Sequence, residues 1–326
     1  MPSRNGWRYD RQNNRLEVQV ASQVVGYFPG RGSNYSPMGD AFYADRTNGS
    51  DDYNGLSPQT AKKTVNAALG LCTTNMNDYV FVLESKDEDE TAVTTTKARV
   101  HLIGVSNPQC AFGVVFRATS DTEDALYCDQ AGFGYSEIAG ISFGGGATGK
   151  GGIGLAQTCG LWVHHCTFGN SFCGDTPDYG IYRTCQANPE HLLIEDNFFY
   201  GDQAYGNGKL AEEAIQLTGA TPPKSPIIRR NTFMGIGGAA CNISALGGVI
   251  TDNFFMVPDA ETGEAITIDA DGISYSLGCL IAGNLAANGM LNTGYEFNPY
   301  RDLQTNTYNA WSMNYRGSSL IEPVGV

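Results

Sequence analysis

Three charged side chains stand at the same place in three similar segments: Asp196 in LIEDNFF, Arg230 in IIRRNTF and Asp252 in VITDNFF. Two carboxylates with a guanidinium between them can do acid–base chemistry on a glycosidic bond. One carboxyl protonates the leaving oxygen while the other activates water. The same residues can form a charge ladder, in which neighbouring strands carry opposite signs and attract. If the segments are successive parallel strands, the aspartates lie two strands apart, about 9–10 Å at Cα. That separation loosely overlaps the one used by an inverting pair. The ladder is the favoured reading, because the E/D-N-x-F context recurs coil after coil, whereas a catalytic constellation breaks a repeat once. No catalytic residue is assigned, and Asp196, Arg230 and Asp252 stand as the alternative.

Other chemistry-bearing residues lack partners in the sequence. Asp269 and Asp271 alternate along one segment, and Glu212–Glu213 reads as part of an insertion. Cys159, Cys166 and Cys173 follow a C-x6-C-x6-C spacing beside His164 and His165, without the compact spacing of a zinc knuckle. GGGATGKGG (144–152) contains a lysine but not the G-x-x-x-x-G-K-[ST] order, so it reads as a turn. Neither metal nor cofactor is expected.

The elements that must position these residues come from a repeat. EIAGISF (137–143), WVHHCTF (162–168), LIEDNFF (193–199), IIRRNTF (227–233), VITDNFF (249–255) and LIAGNLA (280–286) align on Ile138, Val163, Ile194, Ile228, Ile250 and Ile281. The anchor spacings are 25, 31, 34, 22 and 31 residues, which fits solenoid coils with loops of unequal length. A second series lies between them: GIGLAQ (152–157), GIYRTC (180–185), AIQLTG (214–219), AACNIS (239–244), AITIDA (265–270) and GYEFNP (294–299). Each coil therefore carries at least two short strands that stack in parallel. Asn197, Asn231, Asn253 and Asn284 fall at one corner, where asparagine tolerates the left-handed conformation and can bond to the asparagines above and below. Phe199, Phe233 and Phe255 would stack inside, and Cys166 takes the asparagine position of its coil. Cys159 and Cys185 precede corresponding strands, as in a stack of buried thiols.

A solenoid needs covered ends. Ser57 and Pro58 suit a helix start, Ala61, Val65, Ala68 and Leu69 share a face, and Gly70 supplies a stop. A lid helix is expected over 57–70, followed by core strands at 78–85 and 98–107. The tail 291–326 is polar with spaced aromatics, and Trp311 and Tyr315 are candidate interface anchors.

The bulk numbers agree. Of 326 residues, 41 are glycine and only 17% are charged, which favours many short strands and turns over a helical bundle. A net charge of −14 argues against a nucleic-acid or anionic-membrane binder, so neither nucleic acid nor membrane insertion is expected. Nine cysteines without CxxC pairs read as small buried residues of a chain folded in a reducing cytoplasm. The N-terminus has no apolar signal core, no run of residues is long enough to span a bilayer, and the N-x-[ST] patterns at Asn34, Asn48 and Asn242 are read as chance.

The lead-in Tyr43-x-Asp45, Asn48-Gly49-Ser50-Asp51-Asp52, Asn54-Gly55-Leu56-Ser57-Pro58, Ala61, Thr64 and Ala67-Ala68-Leu69 resembles that of pectate-lyase-like parallel β-helix proteins. NGWRYDRQNNRLEVQV, with an Asn13-Asn14 turn, resembles the leading hairpin of β-helix structural proteins of tailed bacteriophages. Together they imply an all-β chain: a right-handed single-stranded parallel β-helix with a short N-terminal capping helix and an N-terminal β-hairpin. The expected division is 1–40 hairpin and linker for attachment, 41–290 β-helix, and 291–326 C-terminal cap. The resemblance further implies a virion decoration, head-fibre or short spike protein. It would be a homotrimer that meets other virion proteins through the hairpin, with Trp7 at that interface, and a surface polysaccharide would be a further partner. A polysaccharide lyase or glycoside hydrolase (a tail-spike depolymerase) and a non-catalytic carbohydrate-binding adhesin are the alternatives.

Overall fold

The computed structural model describes residues 6–10, 15–20, 23–29, 39–83, 90–91, 93–105, 113–118, 123–129, 134–145, 150–156, 158–169, 178–183, 190–201, 213–218, 222–236, 238–257, 264–269, 278–288, 299–303, 309–316, 319–320 and 324–325. Cys173, Cys185, Glu212, Asp271 and most of the GYEFNP segment lie outside these.

Among the described residues, each coil from Asp78–Leu83 to Tyr315–Arg316 contributes its strands to three sheets, visited in the same order. Sheet I has ten strands, from Ala41–Ala44 through Glu137–Ala139, Trp162–His164, Leu193–Glu195, Ile227–Arg229 and Val249–Thr251 to Ala310–Ser312. Sheet II has ten, including Thr167–Phe168, Phe198–Tyr200, Thr232–Met234, Phe254–Val257 and Leu285–Asn288. Sheet III has nine, including Asp124–Cys128, Gly151–Leu155, Tyr179–Arg183, Glu213–Leu217 and Tyr300–Asp302. Pairing within the three sheets is parallel except for the last strand of sheet II, Ser319–Leu320. This is an all-β parallel β-helix. Its core is a set of in-register inward columns, because alternate residues of a strand face opposite ways.

The corner between sheets I and II is only two residues long. Its first residue has positive φ in coil after coil: Gly140, His165, Asp196, Arg230, Asp252, Gly283 and Met313. Its second residue is Ile141, Cys166, Asn197, Asn231, Asn253, Asn284 or Asn314. The left-handed residue is thus the one before each asparagine, a correction to the sequence reading. The asparagine is turned inward for a different task. Each Oδ1 accepts the backbone N–H and the amide of the residue one coil earlier, as Asn253 does from Asn231 at 2.9 and 3.1 Å. Each Nδ2 donates to a carbonyl of the preceding coil, as Asn253 does to Ile228 at 3.1 Å. The ladder runs from Cys166, whose N–H reaches Asn197 Oδ1 at 2.9 Å, to Asn314. An unpaired buried amide would cost about 1–3 kcal/mol, so these contacts fix the register of the coils from Cys166 to Asn314.

Beside the ladder, Phe143, Phe168, Phe199, Phe233 and Phe255 stack with ring centroids 4.6–5.0 Å apart and interplanar angles of 6–12°. Burying each ring is worth about 1.5–3 kcal/mol. The stack ends at Ala286, which pairs with Phe255. Tyr300, from sheet III, is fully buried, and its single hydroxyl proton is shared between the carbonyls of Asn284 and Tyr315, both at 3.0 Å. The hydroxyl thus lies at the end of the phenylalanine column, next to the Ala286 backbone.

The ends differ in detail from the expectation. The helix is shorter and later, with one 3-10 turn at Pro58–Thr60 and the α-helix at Val65–Leu71. Ser57 does not cap it; Thr64 does, accepting the Ala67 N–H. Side chains hold the preceding stretch as a turn: Asp51 takes the N–H and hydroxyl of Thr64, and Asn54 takes the N–H of Leu56 and the hydroxyl of Thr60. The helix runs past Gly70 because Lys97 satisfies the carbonyls of Leu69, Gly70 and Cys72 at 2.6–2.8 Å. Val65, Ala68 and Leu69 are buried as the lid face. Strand pairing continues beyond residue 290, because Asn314, Tyr300 and Trp311 complete a further rung. Near the N-terminus the two expected strands, Gly6–Asp10 and Arg15–Val20, are joined by a third, Gln23–Pro29, in an antiparallel sheet with Trp7 opposite Val18.

Candidate functional face on sheet I

Outward-facing residues of sheet I form two columns, set by strand register. One runs Tyr79, His101, Glu137, Trp162, Leu193, Ile227, Val249, Leu280. The other runs Phe81, Ile103, Ala139, His164, Glu195, Arg229, Thr251, Ala282. The early coils are aromatic and titratable, and the later coils of the first column are aliphatic.

Tyr79 stacks on His101 with centroids 4.4 Å apart, and on Phe81 at 5.9 Å. Trp162 stacks on His164 at 3.9 Å and is 38% exposed. Between these pairs, Glu137 binds two imidazoles: Oε2 to His101 Nδ1 and Oε1 to His164 Nε2, both at 2.8 Å. His164 Nδ1 lies 2.7 Å from Nδ1 of His165, which stands exposed at the left-handed corner. Burial pulls the Glu137 carboxyl up, but the hydrogen bonds and charges of His101 and His164 outweigh it and bring it down to about 2. Burial, seconded by the Glu137 charge, pushes the Tyr79 phenol up.

The chemistry follows from these contacts. A carboxylate ionised down to about pH 2 is an acceptor and not a proton donor near neutrality. Glu137 therefore fixes N–H donors on both imidazoles. In neutral His164 this leaves Nδ1 to accept from His165, so proton exchange with solvent falls to His165. The exposed Trp162 ring and the Tyr79–His101 pair offer flat apolar surface beside hydrogen-bonding groups. A pyranose, with its C–H faces and hydroxyl rim, matches such a surface.

The three charged residues taken from the sequence sit at the edge of this face. Arg230 grips Asp196 with two bonds of 2.8 and 2.9 Å and reaches Glu195 at 2.7 Å, and Arg229 adds a bond of 2.6 Å to Glu195. The arginine hydrogen bond holds the Asp196 carboxyl down. Arg230 also stands between Asp196 and Asp252, so these aspartates do not face one another across an open gap. Asp252 lies against Gly283, where a side chain would come within 2.7 Å of its Oδ1. Glu213 belongs to a sheet III strand, not an insertion, and binds the Asn242 amide at 2.7 Å. Trp311 is half-buried, donating to Asp302 at 3.0 Å, whereas Tyr315 is exposed. Cys128 and Cys166 are buried, which pushes their thiols to about 12. Among the described residues, no three His, Cys, Asp or Glu side chains are grouped to hold a metal ion.

Sequence reasoning missed His101, Glu137 and Tyr79, and weighed His164 and His165 as possible metal ligands without joining them to a carboxylate. The signal available was register. Aligning Leu102, Ile138 and Val163 puts His101, Glu137 and Trp162 in one outward row.

No protein-family model matches the sequence, and no curated protein matches it. Solved structures with a similar fold include an alginate lyase from Paenibacillus sp. str. FPU-7, at 13% identity and TM-score 0.49, covering 78% of this chain and 93% of that one. A GH136 lacto-N-biosidase from Eubacterium ramulus is similar at 12% identity and TM-score 0.45, covering 85% of this chain and 64% of that one. The Dettilon tailspike protein has 13% identity and a TM-score of 0.37, covering 74% of this chain and 59% of that one. The likeness is one of fold, and neither substrate nor activity passes from these proteins to this chain.

Proposed function

We propose that the protein is a virion structural component of a tailed bacteriophage whose sheet I face contacts host-surface glycans. The carrying observation is the aromatic and imidazole row around Glu137, with Trp162 exposed on the strand next to it. The virion assignment draws on the likeness of the lead-in and N-terminal strands, the latter serving as the attachment element to other virion proteins. The coil is taken as right-handed and single-stranded, the hand of nearly all parallel crossovers. A homotrimer suits the aliphatic later half of the face, where Leu193, Ile227, Val249 and Leu280 form an outward row.

Two measurements test the reading. Mass spectrometry of purified particles should find the protein; its absence ends the virion assignment. Host-surface polysaccharide should bind the protein, and Trp162→Ala should weaken binding about tenfold or more. Unchanged affinity removes sheet I as the contact face.

A second reading, a polysaccharide lyase or hydrolase, is favoured by one observation. The Glu137–His164–His165 chain ends at an exposed imidazole able to exchange a proton. New reducing ends or unsaturated products, lost in His165→Ala, would establish it. Binding without cleavage leaves the adhesin form.

A further inference from the structure

Three of the chain's four histidines, His101, His164 and His165, belong to one hydrogen-bonded cluster around Glu137. We propose that this cluster is a proton-loaded docking site for a polyanionic saccharide lying along the shaft, weak at neutral pH and strengthened on mild acidification. The proposal rests on the reading of sheet I as a glycan-contacting face and adds the ligand's charge class and its control.

The hydrogen bonds set how many protons the cluster takes. Glu137 only accepts, so His101 donates from Nδ1 and His164 from Nε2. His101 can take a second proton on its other nitrogen without losing that bond. The His164–His165 pair shares one proton across 2.7 Å. The pair can accept one more, whichever ring carries it. A further proton would set two N–H groups face to face and break the contact. Two added protons therefore carry the cluster from −1 to +1, and there it stops.

The groups facing the cluster do not mask this reversal. Glu195 and Asp196, on the following coil, are matched by Arg229 and Arg230. Tyr79, on the preceding strand, stays neutral because its phenol is pushed up. His101 and His164 lie on strands separated by one strand, the Glu137 strand, about 10 Å apart at Cα along the shaft, and their rings close on the two oxygens of one carboxylate. Successive charges of an extended polyanion can meet both, while Trp162, stacked on His164, takes a sugar face. With a net charge of −14, the molecule repels such a chain when the cluster is unprotonated.

The test compares affinity at pH 8 and pH 5.5, the range in which imidazoles take protons. Hyaluronan probes a carboxylated ligand, dextran sulfate a sulfated one, dextran a neutral one, and oligo-dT a polyanion that is not a saccharide. At least one of the two anionic glycans should bind about tenfold more tightly at pH 5.5, from two added positive charges at a solvated face. Which of them does so identifies the anionic group. His101→Gln should remove about half of the gain in log affinity, and His101→Gln with His164→Gln and His165→Gln should remove all of it. His191→Gln, outside the cluster, should keep it. Imidazole ¹⁵N NMR of the unaltered protein should show two protons taken up by the three rings, which serves if the triple variant does not fold. PH-independent binding of dextran overturns the proposal and leaves the glycan face standing, whereas no saccharide bound at either pH overturns both. Equal gain for oligo-dT, or a third proton taken up above pH 5.5, overturns the proposal alone.

Discussion

Glu137 is held ionised by two imidazoles, and this makes part of the fold's stability depend on acid. Its carboxyl falls from the usual 4.5 to about 2 in the folded state, with burial opposing and the His101 and His164 bonds prevailing. A depressed carboxyl contributes stability that is full above its unfolded pKa and is lost as pH falls through the folded one. The loss therefore runs from about pH 4.5 to about pH 2. Glu137→Gln should flatten this limb. In urea titrations at pH 6 and pH 2.5, the unaltered protein should lose more stability than the variant. Equal losses would mean that the two imidazoles do not hold the carboxylate. The three groups of this contact come from segments 36 and 27 residues apart. No local motif joins them. They meet because parallel register brings outward positions of successive coils to one row, and register is set by the buried columns rather than by the polar residues themselves.

At the scale of the element, the two-residue corner separates two tasks that one residue was expected to perform. Asparagine is the side chain most tolerant of the left-handed region after glycine, so the local rule pointed to Asn197, Asn231 and Asn253. The ladder instead needs their amides inside, which leaves positive φ to the residue before: an aspartate, an arginine or even a histidine. The two positions should respond differently to substitution. Asn253→Ala strips partners from buried groups on both neighbouring coils and should cost about 1–3 kcal/mol. Asp252→Gly relieves a left-handed residue and should cost nothing measurable. Thermal unfolding of the two variants checks this, and a costly Asp252→Gly would show that the carboxylate itself holds the corner. The ladder and the phenylalanine stack were legible because their spacing survives loops of any length. Strands as short as Thr167–Phe168 were not, because two residues carry no periodicity. The last rung was hidden for a similar reason: its spacing is interrupted by a polar segment and its phenylalanine is absent.

At the scale of the molecule, the two halves of sheet I's outer face differ in kind, with imidazoles and aromatics in the early coils and aliphatic side chains in the later ones. If copies associate through the later half, Ile227→Lys should release them, since the position is outward and a lysine stem can lie on the sheet without entering the core. Sedimentation equilibrium should then give the monomer mass with an unchanged circular dichroism spectrum. An unchanged assembly would move the contact elsewhere. The exchange at the end of the phenylalanine stack reaches beyond the single molecule, to how such a sequence can vary. Ala286 closes the phenylalanine column in sheet II, and Tyr300 reaches from sheet III to the backbone beside it, both residues buried. Enlarging the first while the second remains overfills the core, and shrinking the second alone opens a cavity and takes the hydroxyl away from the Tyr315 carbonyl, while that of Asn284 keeps the Tyr315 N–H. Related chains should therefore change these two positions together, and a pairwise correlation between sites 14 residues apart in the chain would mark the coil where the stack changes hands.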